Sequence, residues 1–141
     1  MKISDILHTK GSEIVTIRPE ATIKDLLRIL ADHNIGAVVV SSDGQSLDGI
    51  VSERDVVRTI VDRDAFGEIS VREIMTTDVH TCDPDTPLDN LRSEMTERRI
   101  RHVPVVVDGQ LAGIVSIGDV VKSAIGQLEF ERDQLNNYLS Q

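Results

Sequence analysis

The sequence predicts an α/β chain of the α+β type. It comprises two copies of one β-α-β-β-α unit, each with a helical lead-in, and then a helical extension. Three observations predict this. Residues 15–57 recur, almost in register, as residues 80–121. Within each copy the apolar spacing alternates between the helical and the strand period. Forty per cent of the 141 residues are apolar but only 2% are aromatic, so the core must be built from Val, Ile and Leu.

The repeat is traceable residue by residue. Thr16, Pro19, Leu26, Ile35, Val38, Val40 and Asp43-Gly44-Gln45 return 65 positions later as Thr81, Pro84, Leu91, Ile100, Val103, Val105 and Asp108-Gly109-Gln110. A deletion after Gln110 then shortens the offset to 64, and Gly49-Ile50-Val51-Ser52 with Asp55-Val56-Val57 becomes Gly113-Ile114-Val115-Ser116 with Asp119-Val120-Val121. A copy of about 60 residues has a marginal core by itself. The copies should therefore pack face to face about a pseudo-twofold axis. The boundaries read as repeat 1 over 1–62, a linker over 63–69, repeat 2 over 70–125 and a C-terminal helical extension over 126–141.

Each element follows from local chemistry. Ile3-Ser4-Asp5-Ile6-Leu7 and Val71-Arg72-Glu73-Ile74-Met75 predict lead-in helices over 3–8 and 70–76, with Ser70 and Glu73 as a capping box. Short strands over 14–17 and 79–82 end before Pro19 and Pro84. Thr22 with Asp25, and Thr86-Pro87 with Asp89, start the next helices. Ile23, Leu26, Leu27, Leu30 and Ala31 form an apolar stripe at helical spacing. The runs 37–41 and 103–107 read as buried strands. Asp43-Gly44 and Asp108-Gly109 predict hairpin turns into strands over 48–52 and 111–115. Final helices follow over 53–63 and from 117 onward. The last continues through residues 127–140, where Leu128, Leu135, Tyr138 and Leu139 give an apolar edge for its own domain or for a second subunit.

Composition excludes several functions. Fifteen Lys and Arg against 24 Asp and Glu give a net charge of −9. Such a chain repels a phosphate backbone and offers almost no rings for base stacking, so no nucleic acid is expected as a partner. The same charge disfavours an anionic membrane surface. The longest apolar runs fall far short of the roughly 20 residues of a membrane span. Ser4, Asp5 and His8 interrupt the apolar positions that a signal peptide would need. The single cysteine, Cys82, allows no internal disulfide and fits a reducing compartment. A cytoplasmic protein is expected.

The doubled Gly-Ile-Val-Ser-x-x-Asp is the sharpest chemical feature. A Ser followed three residues later by an acid is first of all a capping box, with the acid favoured at a helix N-terminus. The same corner can serve a ligand. Its backbone N–H groups suit a phosphate, and its carboxylate can accept two hydrogen bonds from vicinal sugar hydroxyls.

With the lead-ins Asp-Ile-Leu and Glu-Ile-Met, and with Ile-Arg-His-Val-Pro-Val-Val at 100–106, these corners resemble a tandem pair of cystathionine β-synthase (CBS) domains, the Bateman module. The resemblance spans residues 1–125. It implies two clefts for adenosine-containing ligands, namely AMP, ADP, ATP or S-adenosylmethionine, and pairing into a homodimer. It places Asp55 and Asp119 at the ribose, with Ser52 and Ser116 before them. It sets Val38, Val39, Val103 and Pro104 along the base, and Thr16, Ile17, Thr81 and Cys82 at the first-strand edges.

The copies differ in charge. Arg54 lies inside the first motif, whereas Ile117-Gly118 fills the second. Residues 98–102, Arg-Arg-Ile-Arg-His, enter the second copy's middle strand. They serve either as a solvated helix end or as phosphate partners. Charged phosphates are expected in whichever cleft gathers Arg54, Arg101 and His102. His80-x-Cys82 supplies two metal ligands where a zinc site needs about four, and no motif for catalysis is present. The chain thus reads as a regulatory sensor without catalytic cofactor or enzymatic activity, acting on an effector protein in trans. The alternative is a dimeric docking module for a partner enzyme or transporter, with no physiological nucleotide.

Overall fold

The structure, a computed structural model, describes residues 1–11, 13–63 and 68–140. Most of the expected linker, residues 64–67, lies outside them. Helix α1 (Ile3–Lys10) is followed by strand β1 (Thr16–Ile17), helix α2 (Ile23–His33), strands β2 (Ala37–Val40) and β3 (Gly49–Ser52), and helix α3 (Glu53–Asp62). The second copy runs through α4 (Val71–Ile74), α5 (Leu88–Arg98), β4 (His102–Val107), β5 (Gln110–Ser116) and the long α6 (Ile117–Leu139).

Helix α2 starts at a reciprocal cap. Thr22 Oγ1 accepts the Asp25 N–H at 3.1 Å, and Asp25 accepts the Thr22 N–H at 3.2 Å. It ends at Asn34, φ 52°, one of the few residue types that tolerates the left-handed region. Its buried edge is Ile23, Leu26 and Leu30. Leu27 and Ala31, expected on that stripe, face outward because the helix meets the sheet along one narrow line.

In the first sheet β1 pairs parallel to β2, and β2 pairs antiparallel to β3, with Ala37 opposite Ser52 and Val40 opposite Gly49. The second sheet holds β4 and β5, antiparallel, with His102 opposite Ser116. The strand expected over 79–82 shrinks to a parallel bridge between Cys82 and Val105. Only one expected hairpin turn forms as such. Asp108 and Gly109, φ 52° and 79°, link Val107 to Gln110 in two residues. The Asp43-Gly44 connection instead spans residues 41–48. There the Asp43 carboxylate gathers the N–H groups of Gln45 and Ser46 at 2.9 and 2.7 Å, which holds its pKa well below the ordinary range. The first copy carries one extra residue here, Ser46, and its two strands stop short of those that flank the second turn.

The lead-in helices are exchanged between copies. Ile3 and Ile6 of α1 are buried in the second copy's core with Leu88, Leu91, Met95, Val103, Val105, Val115 and Val120. Ile69 and Val71 join the first copy's core with Ile23, Leu26, Leu30, Val38 and Val51. Backbone bonds fix the exchange: Ile3 N–H to Thr86 O at 3.1 Å, and Val71 N–H to Ala21 O at 2.8 Å. Helix α4 stops at Ile74, short of the expected residue 76, because Thr76 pairs with Ile50 of β3 through two bonds of 2.9 Å.

Candidate functional site

At the junction of β3 and α3 the chain turns on Ser52. Ser52 N–H donates to Asp55 Oδ2 at 2.8 Å, Ser52 Oγ donates to the same oxygen at 3.1 Å, and Asp55 N–H donates to Ser52 Oγ at 3.3 Å. Glu53 N–H is bonded to Gly36 O at 3.0 Å. Three of the amides expected to be open for a phosphate, those of Ser52, Glu53 and Asp55, are therefore already paired. An anion held here must depend mainly on side chains.

Those side chains are present. Asp55 and Ser52 border a cleft of about 330 Å³ that is also lined by Gly36, Ala37, Ile50, Thr76, Arg54, Arg58, Arg99, Arg101 and His102. Four arginines thus share one cleft with two carboxylates, Asp55 and Glu53, in a chain whose net charge is −9. Arg54 and Arg58, one turn apart, share a face of α3. Arg99, Arg101 and His102 arrive from the other copy, where α5 ends on Arg99 at φ 54° and β4 begins. Arg54, Arg101 and His102 do converge with Asp55 and Ser52. His102 brings a neutral ring, since burial, Lys10 and Arg101 lower its pKa against the smaller pull of Asp119 and Glu53. The charge is carried by the arginines.

Other expected residues are placed elsewhere. Val38 and Val39 are fully buried in β2, and Ile17 lies in the first core. Thr16 is half-buried beside them. The sheet reaches the cleft through Gly36 and Ala37, at the start of β2. Val103 and Pro104 are likewise buried in β4. Thr81 and Cys82 line a separate shallow depression of about 380 Å³ with His80 and Glu94. His80 Nε2 lies 2.7 Å from Glu94 Oε2. Burial, with Asp83 and Glu94 nearby, pushes the Cys82 thiol up to about 12, so it stays protonated. No metal-ligating cluster occurs among the described residues.

The second corner repeats the cap. Ser116 N–H donates to Asp119 Oδ2 at 2.9 Å, and Asp119 N–H to Ser116 Oγ at 3.2 Å. Here Lys10 Nζ also donates to Asp119 Oδ2, at 2.8 Å. Burial acts to raise the Asp119 pKa, but the bonds from Lys10 and Ser116 outweigh it and hold the group below its ordinary value. Arg58 was legible as a residue one turn beyond Arg54, yet the motif did not single it out. Lys10 carried no signal, because the lead-in's partner is set by the exchange.

This duplicated fold has relatives. The CBS-domain family profile matches residues 3–62 and 71–126. The chain belongs to the CBS-domain family, as a tandem pair. The CBS domain-containing protein CBSX3, mitochondrial, of Arabidopsis thaliana is 35% identical over 146 residues, covering 97% of this chain and 71% of its own. The crystal structure of the CBS-domain containing protein ATU1752 from Agrobacterium tumefaciens superposes with a TM-score of 0.83 at 42% identity, over 88% of this chain and 99% of that one. The CBS domain pair of protein MJ0100, solved with 5′-methylthioadenosine and S-adenosyl-L-methionine, superposes at TM-score 0.79 and 28% identity, over 90% and 98% of the two chains. No helix among the described residues is long and apolar enough to cross a membrane.

Proposed function

We propose that the protein is a regulatory sensor, without catalysis of its own, that binds a phosphorylated adenosine ligand in the Asp55 cleft. The observation that carries this is the meeting of one sugar-competent carboxylate with Arg54, Arg58, Arg99 and Arg101 in a single crevice. Asp55 accepts the ribose hydroxyls, and the guanidinium forks take phosphate oxygens. The aliphatic and main-chain surface at Gly36, Ala37 and Ile50 accommodates the base. The adenosyl ligands of MJ0100 support the nucleoside half of this reading. Four cations favour AMP, ADP or ATP over the sulfonium of S-adenosylmethionine. The protein acts in the cytoplasm as a homodimer, and its output passes to an effector protein through the ligand's unequal affinity for two states.

Thermal melting against AMP, ADP, ATP and S-adenosylmethionine tests the reading. A ligand at 100 times its Kd adds about 2.7 kcal/mol, a Tm rise on the order of 4 °C or more for a chain of this size. Asp55→Ala should abolish the rise, measured against its own unliganded Tm, which falls because the variant also loses the carboxylate that caps α3. A normal rise in that variant refutes the site, and no rise with any nucleotide refutes the function. The exposed apolar residues Val57, Ile60 and Val61 on α3 favour a second reading, a docking module with no nucleotide. Absence of any shift would select it.

A further inference from the structure

In each copy the exchanged lead-in covers the third strand of the partner copy, but the two lead-ins end differently. Helix α4 stops at Ile74, and the chain beyond it pairs with β3, so that Thr76 N–H donates to Ile50 O at 2.9 Å. Helix α1 runs on to Lys10. The carbonyl equivalent to Ile50 is that of Ile114, and it accepts from Lys10 Nζ at 2.8 Å. The same ammonium sits 2.8 Å from Asp119 Oδ2, with the two side chains 37% and 23% exposed. Asp55 has no ion pair among the described residues. Two corners of like sequence are therefore chemically unlike.

We propose that Lys10 occupies the second corner, so that the chain has one nucleotide site, the cleft at Asp55. This rests on the sugar-binding reading of the corners. A ribose reaching Asp119 must replace an ammonium–carboxylate ion pair with bonds from uncharged hydroxyl donors. It must also strip a partly shielded ammonium of a partner. Ile3 and Ile6, buried in the second core, hold α1 in place and keep Lys10 beside the acid. Lys10 is thus the residue that decides which cleft is competent.

Titration calorimetry of the full chain with ADP, and in parallel with AMP, counts the sites. Wild type should take one equivalent and Asp55→Ala none. Lys10→Met should take two, the second lost again when Asp119→Ala is added. Lys10→Arg, which keeps the cation, should stay at one. Two equivalents in wild type, or one in Lys10→Met, overturns the proposal and leaves the nucleotide reading intact. A second readout needs no ligand. Melting shifts of Lys10→Met and Asp119→Asn should fail to add in the double variant. Additive shifts overturn the proposal whatever binds. Non-additive shifts with no binding in any variant overturn the nucleotide reading, and with it the site count.

Discussion

Gly49 and Gly113 open the doubled Gly-Ile-Val-Ser segment, and the exchange explains both. A Cβ on Gly49 would lie 2.7 Å from the Thr76 carbonyl oxygen and 3.0 Å from Met75 Sδ. A Cβ on Gly113 would lie 2.6 Å from Leu7 Cδ2. Leu7 and Met75 hold matching places in the two lead-ins, so each glycine admits the helix contributed by the other copy. Neither glycine has a positive φ, and the cost of alanine is therefore one of packing. The two sites should differ. Leu7 can rotate its tip away, whereas the Thr76 carbonyl is fixed by its strand bonds to Ile50. Gly49→Ala should cost about 1–3 kcal/mol in urea unfolding, and Gly113→Ala clearly less. Equal losses, or the reverse order, would show that the lead-ins do not constrain these positions.

At the scale of the element, helix α1 belongs by sequence to the first copy and by burial to the second. Ile3→Ala should remove about 2–5 kcal/mol. Its effect should be non-additive with Leu88→Ala by more than about 0.5 kcal/mol, yet should add with Leu26→Ala across the two cores. The opposite pattern of coupling would place α1 on its own copy. The periodicity of α2, the capping boxes at Thr22, Ser52, Ser70 and Ser116, and the two-residue turn at Asp108-Gly109 were legible because they depend on neighbours within a few residues. The exchange was not, since apolar spacing in Ile3-x-x-Ile6 says that a face is buried but not against what. The same limit hid Lys10, which meets Asp119 across 109 residues of chain. The occupied amides at Ser52 and Glu53 were half legible. The cap predicted the bond of Ser52 to Asp55, but the bond of Glu53 to Gly36 needed the register of β2 against β3. The arginine cleft shows the converse. Arg54 was visible inside the first motif and Arg99, Arg101 and His102 in the second copy's basic run, and only the pairing of the copies joined them with Arg58.

For the whole molecule, the internal pseudo-symmetry leaves two matched apolar stripes facing outward. On α3 they are Val57, Ile60 and Val61, the last 78% exposed. On α6 they are Val121 and Ile125, which match Val57 and Val61 in the repeat, and then Leu128, Leu135 and Leu139. Along α6 the intervals alternate between four and three residues, with Arg132 filling the remaining place, the spacing of a helix that packs against another helix. A surface with its own near-twofold axis is self-complementary, so a second copy can lay α6 against α3 and α3 against α6 in one isologous interface. Closing that interface would cover the exposed valines and isoleucines of both chains at once. It would also fix the angle between the copies, the angle that the proposed ligand in the Asp55 cleft would have to shift. Light scattering should therefore give twice the chain mass of 15.6 kDa, and Val61→Glu or Ile125→Glu, each setting a carboxylate on one of the two stripes, should give the monomer with its melting transition still cooperative. A wild-type monomer at about ten micromolar, or variants that remain paired, would rule out this surface.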